Sequence, residues 1–585
     1  MKYLLLMTLS ISAVFATSRS DAIQSANNII QAFSGYGSKQ HISDDLRAIA
    51  RYGHSLPDNI KNDLINLGFN FEGQFVNRSP LDERSEANGL DLSYDSGIFR
   101  YHYTLTGNHA VDTADTNGNN IPDYIEQMAD VFNVVSSTEL TMNNFTEPPG
   151  DGWYPLNNDN GGSGLYDIYI RNLSSQLYGY TQPELYANNN GNNEHSDGLT
   201  EVNATTSYMV MRNNYNGFPN SLLENIQVTA THEFFHAVQF GYDGWEETWI
   251  MEATAVQMEE IVYDNINDCY QYMSSWFHSP HQSLNLDSYN RWYGSFIFFE
   301  YVSTHLDPET IRLFWEKSIT HDSYYGSFSI QTLDEVFQEL GSSFINMLND
   351  MSVANRILTS NSAANPYTYE EADAYSSSPS TFQNVSYSAG VNASVSSTNL
   401  QANAAQYIRL ISNDPVLATL SSDTGNDGDL MLFAILSYSD SSWTVWSGSP
   451  INVDPAGATR IYFVIVSQNS DGSNFNYTLT FTDGQMSTNP DLPKQFTVSN
   501  AYPNPFNPET HMIVDLTGNE NLNIFIYDMK GRVVTQLIND RLPSGRHFIT
   551  WNGKDIKGNQ IASGMYMIRV MGSHFEHWQK ITLLK

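Results

Sequence analysis

His232 and His236 stand four residues apart in the stretch Thr231 to Gln239, which reads THEFFHAVQ. On a helix that spacing stacks both imidazoles on one face, about a turn apart. Two neutral imidazoles so placed can grip one zinc ion, and Glu233 beside them can take a proton from a bound water. A helix whose histidines merely cap or pack has the same spacing without the chemistry. A catalytic zinc needs a third protein ligand and keeps a fourth position open. Glu252 is the candidate, in Trp249-Ile250-Met251-Glu252-Ala253-Thr254-Ala255. Fifteen residues separate it from His236, enough to finish one helix, turn and return on a second. There Glu252 can face the histidines, while Ala253 and Ala255 permit close helix packing. Asp243, Glu246, Glu247, Glu259 and Glu260 are rival carboxylates.

A second group of oxygen donors runs from Asp115 to Glu126. Asp115, Asn117, Asn119, Asp123 and Glu126 fall at positions 1, 3, 5, 9 and 12 of a loop, and Ile121 can offer its carbonyl at position 7. That is the pattern of an EF-hand-like calcium loop. It departs from the standard loop because glycine stands at position 4 and not 6, and no clear helix leads into it. An Asn-Gly-rich turn followed by a helix-starting acid is the plainer reading.

The elements that must hold these residues can be read along the chain. Short helical patterns cover Asp44 to Tyr52 and Pro57 to Leu67, and strand-like alternation begins at Tyr101. Tyr166 to Ile170 reads as a strand after the turn Gly161-Gly162-Ser163-Gly164. Helical patterns dominate from Ser221 to Leu358, and a Ser-, Ala-, Asn- and Pro-containing stretch from Asn361 to Tyr387 marks a boundary. Alternating runs at Ala405 to Ile411, Leu430 to Leu436, Arg460 to Val466 and Tyr477 to Thr482 then suggest a small β-sandwich. A linker from Ser487 to Pro493 leads to a last block.

Bulk properties narrow the class. The 585 residues carry 64 acidic and 27 basic side chains, a formal charge of −37. That excess of acid argues against nucleic-acid binding, which needs Lys and Arg on phosphates. It suits a soluble extracellular protein and offers carboxylates to hard cations. From Gln495 onward the count is 9 basic against 7 acidic, or +2, so this block differs in charge from all before it. Lys2, the apolar run Leu4 to Ala16 and the small residues of Val14-Phe15-Ala16 read as a secretory signal peptide, too short to span a bilayer. No later stretch is long enough to be a transmembrane helix. Cys269 is the single cysteine, so an intramolecular disulfide is impossible, and the residue is expected as buried packing on a helix.

Two resemblances sharpen these expectations. The W-x-x-E-A-x-A pattern around Glu252 resembles the glutamate helix of gluzincin metallopeptidases, whose third ligand is that Glu. Gluzincins often place a Tyr before a helix-opening glycine, where its hydroxyl stabilises the oxyanion. In Arg291-Trp292-Tyr293-Gly294-Ser295-Phe296 this implies Tyr293, with Tyr289, His278, His281 and His305 as other candidates. From about Tyr101 to Tyr375 the chain looks like a family of secreted gluzincin-type bacterial metalloproteases, through the calcium loop, GGSGLYDIYI, YGYTQPE, VTATHEFFHAVQFGYD, WIMEATA and RWYGSFIFFEYV. The block from Gln495 to Lys585 is similar to the type A C-terminal sorting domain of the type IX secretion system. Its matching pieces are the AYPNPFNP start, IFIYDMKGRVV, Trp551-Asn552-Gly553-Lys554-Asp555 and ASGMYMIRV. In that family the domain directs passage across the outer membrane, and many cargoes become attached to surface lipopolysaccharide.

The expected fold class is multidomain: an α+β gluzincin-like catalytic domain, a β-sandwich and a C-terminal Ig-like β-sandwich. The expected segments are a signal peptide over 1–16, an N-terminal segment or propeptide over 17–95, and a zinc metallopeptidase domain over 96–375. A β-sandwich over 385–484 and a sorting domain over 495–585 follow. The expected function is a secreted or surface-held zinc endopeptidase acting on proteins or peptides, with Glu233 as base, Tyr293 at the oxyanion and structural calcium. The rival class is a calcium-stabilised surface adhesin with a non-catalytic zinc site.

Overall fold

The computed structural model describes residues 22–35, 41–78, 89–150, 161–188, 200–361, 366–422, 430–484 and 497–584, with single positions and short stretches omitted inside these ranges. The signal-peptide reading and the linker from Ser487 to Pro493 lie outside the described residues. The chain divides into two compact units. The first comprises 1–276, 285–304 and 308–333, and the second comprises 277–284, 305–307 and 334–585.

In the first unit, helix 22–33 is followed by α1 (Ser43–Tyr52) and α2 (Asp58–Asn66). A five-stranded sheet comes next: β1 (Leu92–Ser96), β2 (Phe99–Tyr103), β3 (Tyr166–Arg171), β4 (Gly179–Tyr186) and β5 (Thr205–Arg212), in the order β1-β2-β3-β5-β4. β2, β3 and β5 run parallel, while β1 and β4 are antiparallel edges. An edge position explains why β4 tolerates Pro183, which has no ladder N–H to give. The helix α3 (Asp123–Ser136) connects β2 to β3.

Two long helices carry the chemistry: α4 (Leu222–Asp243) and α5 (Thr248–Tyr263). Ser221 starts α4 with a capping box, its hydroxyl accepting from Glu224 N–H while Glu224 accepts from Ser221 N–H. From Asn225 to Asp243 nearly every side chain of α4 is buried, so the helix is a central element packed all round. Gly179 lets it approach the sheet: a Cβ there would meet Thr229 Cγ2 at 2.9 Å and Val210 O at 3.1 Å.

The residues on the two sides of the expected boundary at 95 share a sheet and a core. β1 runs across that position and pairs with β2 along five residues. Ala26, Ile29, Leu46, Ile49 and Leu64 share one apolar core with Tyr169, Tyr180, Tyr208 and Val210 of the sheet. Apolar faces too small to form their own core must join the nearest large one. Cys269 is buried, but it sits in the turn before the helix Tyr270–His278 and not on a helix.

The second unit contains a sandwich of a five-stranded and a four-stranded sheet, running from Thr381 to Asp483. It starts four residues before the expected position at 385. Ile408, Leu432 and Phe463 from one sheet meet Val395, Leu479 and Phe481 from the other. After it, a three-stranded and a four-stranded sheet enclose Val514, Ile524, Trp551, Ile568 and Ile581. Alternating inward side chains from both sheets make each of these cores.

Candidate metal centre

His232, Glu233 and His236 lie in the middle of α4, and Glu252 lies in the second turn of α5. His232 Nε2 is 3.1 Å from His236 Nε2 and 3.1 Å from Glu252 Oε2, and His236 Nε2 is 3.7 Å from the same oxygen. Ligands at about 2.0–2.1 Å from a tetrahedral zinc stand roughly 3.3 Å apart, so the three atoms have the separations such an ion requires. All three residues are at most 2% exposed.

The other ring nitrogens are already committed. His232 Nδ1 donates to Glu259 Oε1 at 2.7 Å, and His236 Nδ1 donates to Gln239 Oε1 at 2.8 Å. Gln239 is held in turn, its amide donating to Met251 O and Thr254 Oγ1 on α5. Donation from both Nδ1 atoms leaves both Nε2 lone pairs facing each other and a carboxylate oxygen. Three electron-rich atoms in a buried site need a cation or extra protons between them, so the donor set fits zinc.

The electrostatics follow from the same geometry. Burial works against charging His232, but without a metal the Glu252 and Glu259 carboxylates on its two ring nitrogens favour a second proton and carry its pKa well above the usual value. Burial raises Glu252, and the two histidines overcome it and hold the carboxylate well below its ordinary range. Burial pushes Glu259 up to about 7, partly offset by His232. Glu233 is brought down to about 2: burial opposes this, and His41, His236 and His232 prevail.

Among the rival carboxylates, Glu259 joins the site as the partner of His232 and not in the place of Glu252. Asp243 accepts from Trp245 N–H and Asn203 Nδ2, and Glu246 accepts from Ser323 and Ser329, so neither belongs to the histidine group. Tyr293 is 1% exposed, with its ring 6.1 Å from that of His232 and 4.9 Å from that of Tyr272. His278, His281 and His305 belong to the second unit, where His305 pairs with Thr368 O.

Several site residues carry no local sequence signal. His41, from the N-terminal segment, has its Nδ1 3.5 Å from Glu233 Oε1, and its ring centroid is 4.6 Å from that of His232. Ser43 donates its hydroxyl to Glu233 Oε2 at 2.7 Å. Thr181, on β4, places its hydroxyl 3.0 Å from the same oxygen.

The Asp115 to Glu126 loop folds into a tight turn of its own. Asp115 accepts from the backbone N–H groups of Gly118, Asn119 and Asn120. Asn117 and Asn119 both turn their amides to Glu126, at 2.9 and 2.7 Å. Asp123 accepts from the N–H and hydroxyl of Thr116, and Ile121 N–H donates to Asn119 Oδ1. Gly118 has φ of +73° and Asn120, at loop position 6, has φ of +69°. Asparagine is one of the few residues that adopt this left-handed conformation readily, so the bend that glycine usually makes there is present.

Comparison with known proteins bears on the end of the chain. Residues 506–574 match the family described as the FlgD Ig-like domain. No curated protein matches the chain. Solved structures with a partial likeness include PorZ, a surface component of the type-IX secretion system of Porphyromonas gingivalis. That likeness has 22% identity over 21% of this chain and 15% of that one, with a TM-score of 0.12. Dimeric latent PorU from the same organism gives 14% identity, 30% and 18% coverage and a TM-score of 0.14. Domains 3 and 4 of rat CD4 give 8% identity, 34% and 98% coverage and a TM-score of 0.11. The chain thus spans under a fifth of the length of the PorZ and PorU structures. With its Ig-fold family match and its paired sheets, the chain is a multidomain protein of mixed α and β structure that ends in an Ig-like domain.

Proposed function

We propose that this protein is an exported zinc metallopeptidase of gluzincin type, with His232, His236 and Glu252 as metal ligands and Glu233 as general base. The observation that carries the reading is the meeting of His232 Nε2, His236 Nε2 and Glu252 Oε2 within 3.7 Å, with both Nδ1 atoms already donating elsewhere. Bound zinc supplies Lewis acidity and makes a water molecule acidic enough to act as nucleophile near neutral pH. Glu233 follows His232 directly on α4, so it stands where it can accept that water's proton and pass it to the leaving amine. Tyr293, beside His232, is suited to hold the developing oxyanion through its hydroxyl.

Calcium held by Asp115, Asn117, Asn119, Ile121, Asp123 and Glu126 is part of the proposal, supported by the clustering of Asn117, Asn119 and Glu126 and the left-handed Asn120. Export through type IX secretion machinery, with possession of a lipopolysaccharide anchor as one fate, is supported by the C-terminal block. That block matches the FlgD Ig-like family, encloses its own core and carries a charge of +2 against −39 before it. Among the described residues no helix is long and apolar enough to cross a membrane.

The test is zinc content and casein hydrolysis of the purified chain and its Glu233→Gln variant, before and after limited proteolysis. One equivalent of zinc in both is expected, with chelator-sensitive cleavage in the wild type alone, lower in the variant by roughly 10²–10⁴-fold. A chain that binds no zinc would sink the reading. Equal behaviour of the two proteins would make the site structural, as in an adhesin.

A further inference from the structure

A catalytic metal needs an open position, yet every residue of this site is closed off. His232 and Glu233 are 0% exposed, and Tyr293 is 1% exposed. Part of what closes it is a stretch of three residues, His41 to Ser43, that enters from the N-terminal segment. His41, Ile42 and Ser43 are themselves 6%, 1% and 1% exposed. The His41 ring lies among those of His232, Tyr178 and Tyr293, with centroids 4.6, 5.8 and 5.6 Å away. One ligand atom each of His41, His232 and Glu233 lie within 4.8 Å of one another. This trio shares His232 with the trio of His232, His236 and Glu252.

Ser43 engages what a substrate would need. Its hydroxyl donates to Glu233 Oε2 and accepts from the backbone N–H of Thr181. Thr181 belongs to β4, the last strand in the order of the sheet, and is buried there, with its N–H turned from the ladder to Ser43. Extended peptides bind proteins by adding to such an edge through main-chain hydrogen bonds. Base and edge amide are therefore both satisfied by the protein's own serine. The segment is anchored firmly behind: Arg47 of α1 donates to the carbonyls of Gly244 and Glu246 and to Thr248 Oγ1, in the turn joining α4 to α5.

We propose that His41 to Ser43 is an inhibitory plug, with His41 as the fourth ligand of the metal and Ser43 holding Glu233 and the β4 edge, so that the chain as folded is latent. Activation requires this stretch to be displaced or cut away. The inference rests on the zinc reading above and adds the regulation of that site.

The test is zinc X-ray absorption spectroscopy on the intact chain, with metal content measured alongside. The wild type is expected to hold one zinc with three imidazoles. His41→Ala, and His41→Gln as a variant that keeps bulk and polarity, are expected to hold one zinc with two. Casein hydrolysis by the intact variants is expected to rise about tenfold or more, the gain when a site open under a tenth of the time becomes always open. Two imidazoles on the wild-type zinc, with no gain in either variant, would overturn the plug and leave the zinc site standing. No zinc in wild type or variants would overturn the metallopeptidase reading itself.

Discussion

At the scale of single residues the site is defined by which nitrogen of each histidine is free. Glu259 fixes His232 and Gln239 fixes His236, each by accepting from Nδ1. Such partners hold a ligand's ring and tautomer, and their loss commonly weakens metal binding by about 10–100-fold. Glu259→Ala is therefore expected to lower zinc affinity by that factor while leaving His232, His236 and Glu252 in place. Competition titration against a chelator of known affinity measures it, and unchanged affinity would remove Glu259 from the site. The same pattern separates Glu252 from Glu259. The two stand seven residues apart on α5, two turns along one face, so both look toward the histidines. Only distance decides that Glu252 approaches both Nε2 atoms and Glu259 approaches Nδ1.

At the scale of elements, α4 and α5 form a buried pair whose connection stores acidic groups. Asp243 ends α4 fully buried, and burial with the neighbouring Glu246 carboxylate pushes it up to about 7. An acid raised on folding binds its proton more tightly in the native state than in the unfolded chain. Its effect is absent below its unfolded pKa of about 4 and becomes a growing penalty as pH rises to about 7. Asp243→Asn keeps the acceptor for Trp245 N–H and removes the charge. The variant is expected to melt at a higher temperature than the wild type at about pH 8, with the gain shrinking as pH falls and vanishing near pH 4, as followed by thermal unfolding. A variant less stable at both would show that Asp243 earns its place as a carboxylate. The helical run from Ser221 to Leu358 was legible because its periodic apolar residues persist over many turns. β4 was not, because YGYTQPE alternates weakly and contains a proline that an edge strand alone accepts.

At the scale of the whole molecule, stability has to come without disulfides, since Cys269 is the single cysteine. Surface loops are then fixed by packing or by ions. The Asp115 to Glu126 loop joins β2 to α3, and α3 covers the sheet beside α4. If calcium closes this loop, adding millimolar calcium to chelator-treated protein raises its melting temperature, because a ligand bound only by the native state stabilises it. Glu126→Ala is expected to abolish the increase, and an equal increase in the variant would place the ion elsewhere. The N-terminal segment shows how far packing redraws a boundary. In sequence its helices fit a propeptide or a part of the catalytic domain equally, and Leu46 and Ile49 enter the core that Tyr180 and Val210 contribute from the sheet.

What depends on neighbours a few residues apart was legible in one dimension. The histidine pair on one helix face, Glu233 beside it, the oxygen spacing of the loop and the alternating strands of both sandwiches are all short-range patterns. They survive in one dimension because helix and strand periods are fixed by the backbone. Tertiary structure decided everything that joins distant segments. It put Glu259 behind His232, withdrew Asp243 to the side of Glu246, buried Thr181 of the edge strand against Ser43 and brought His41 and Ser43 to Glu233 across about 190 residues. No period or spacing encodes such meetings, because they follow from the apolar faces that must be buried together, and those faces fix the polar groups only as passengers.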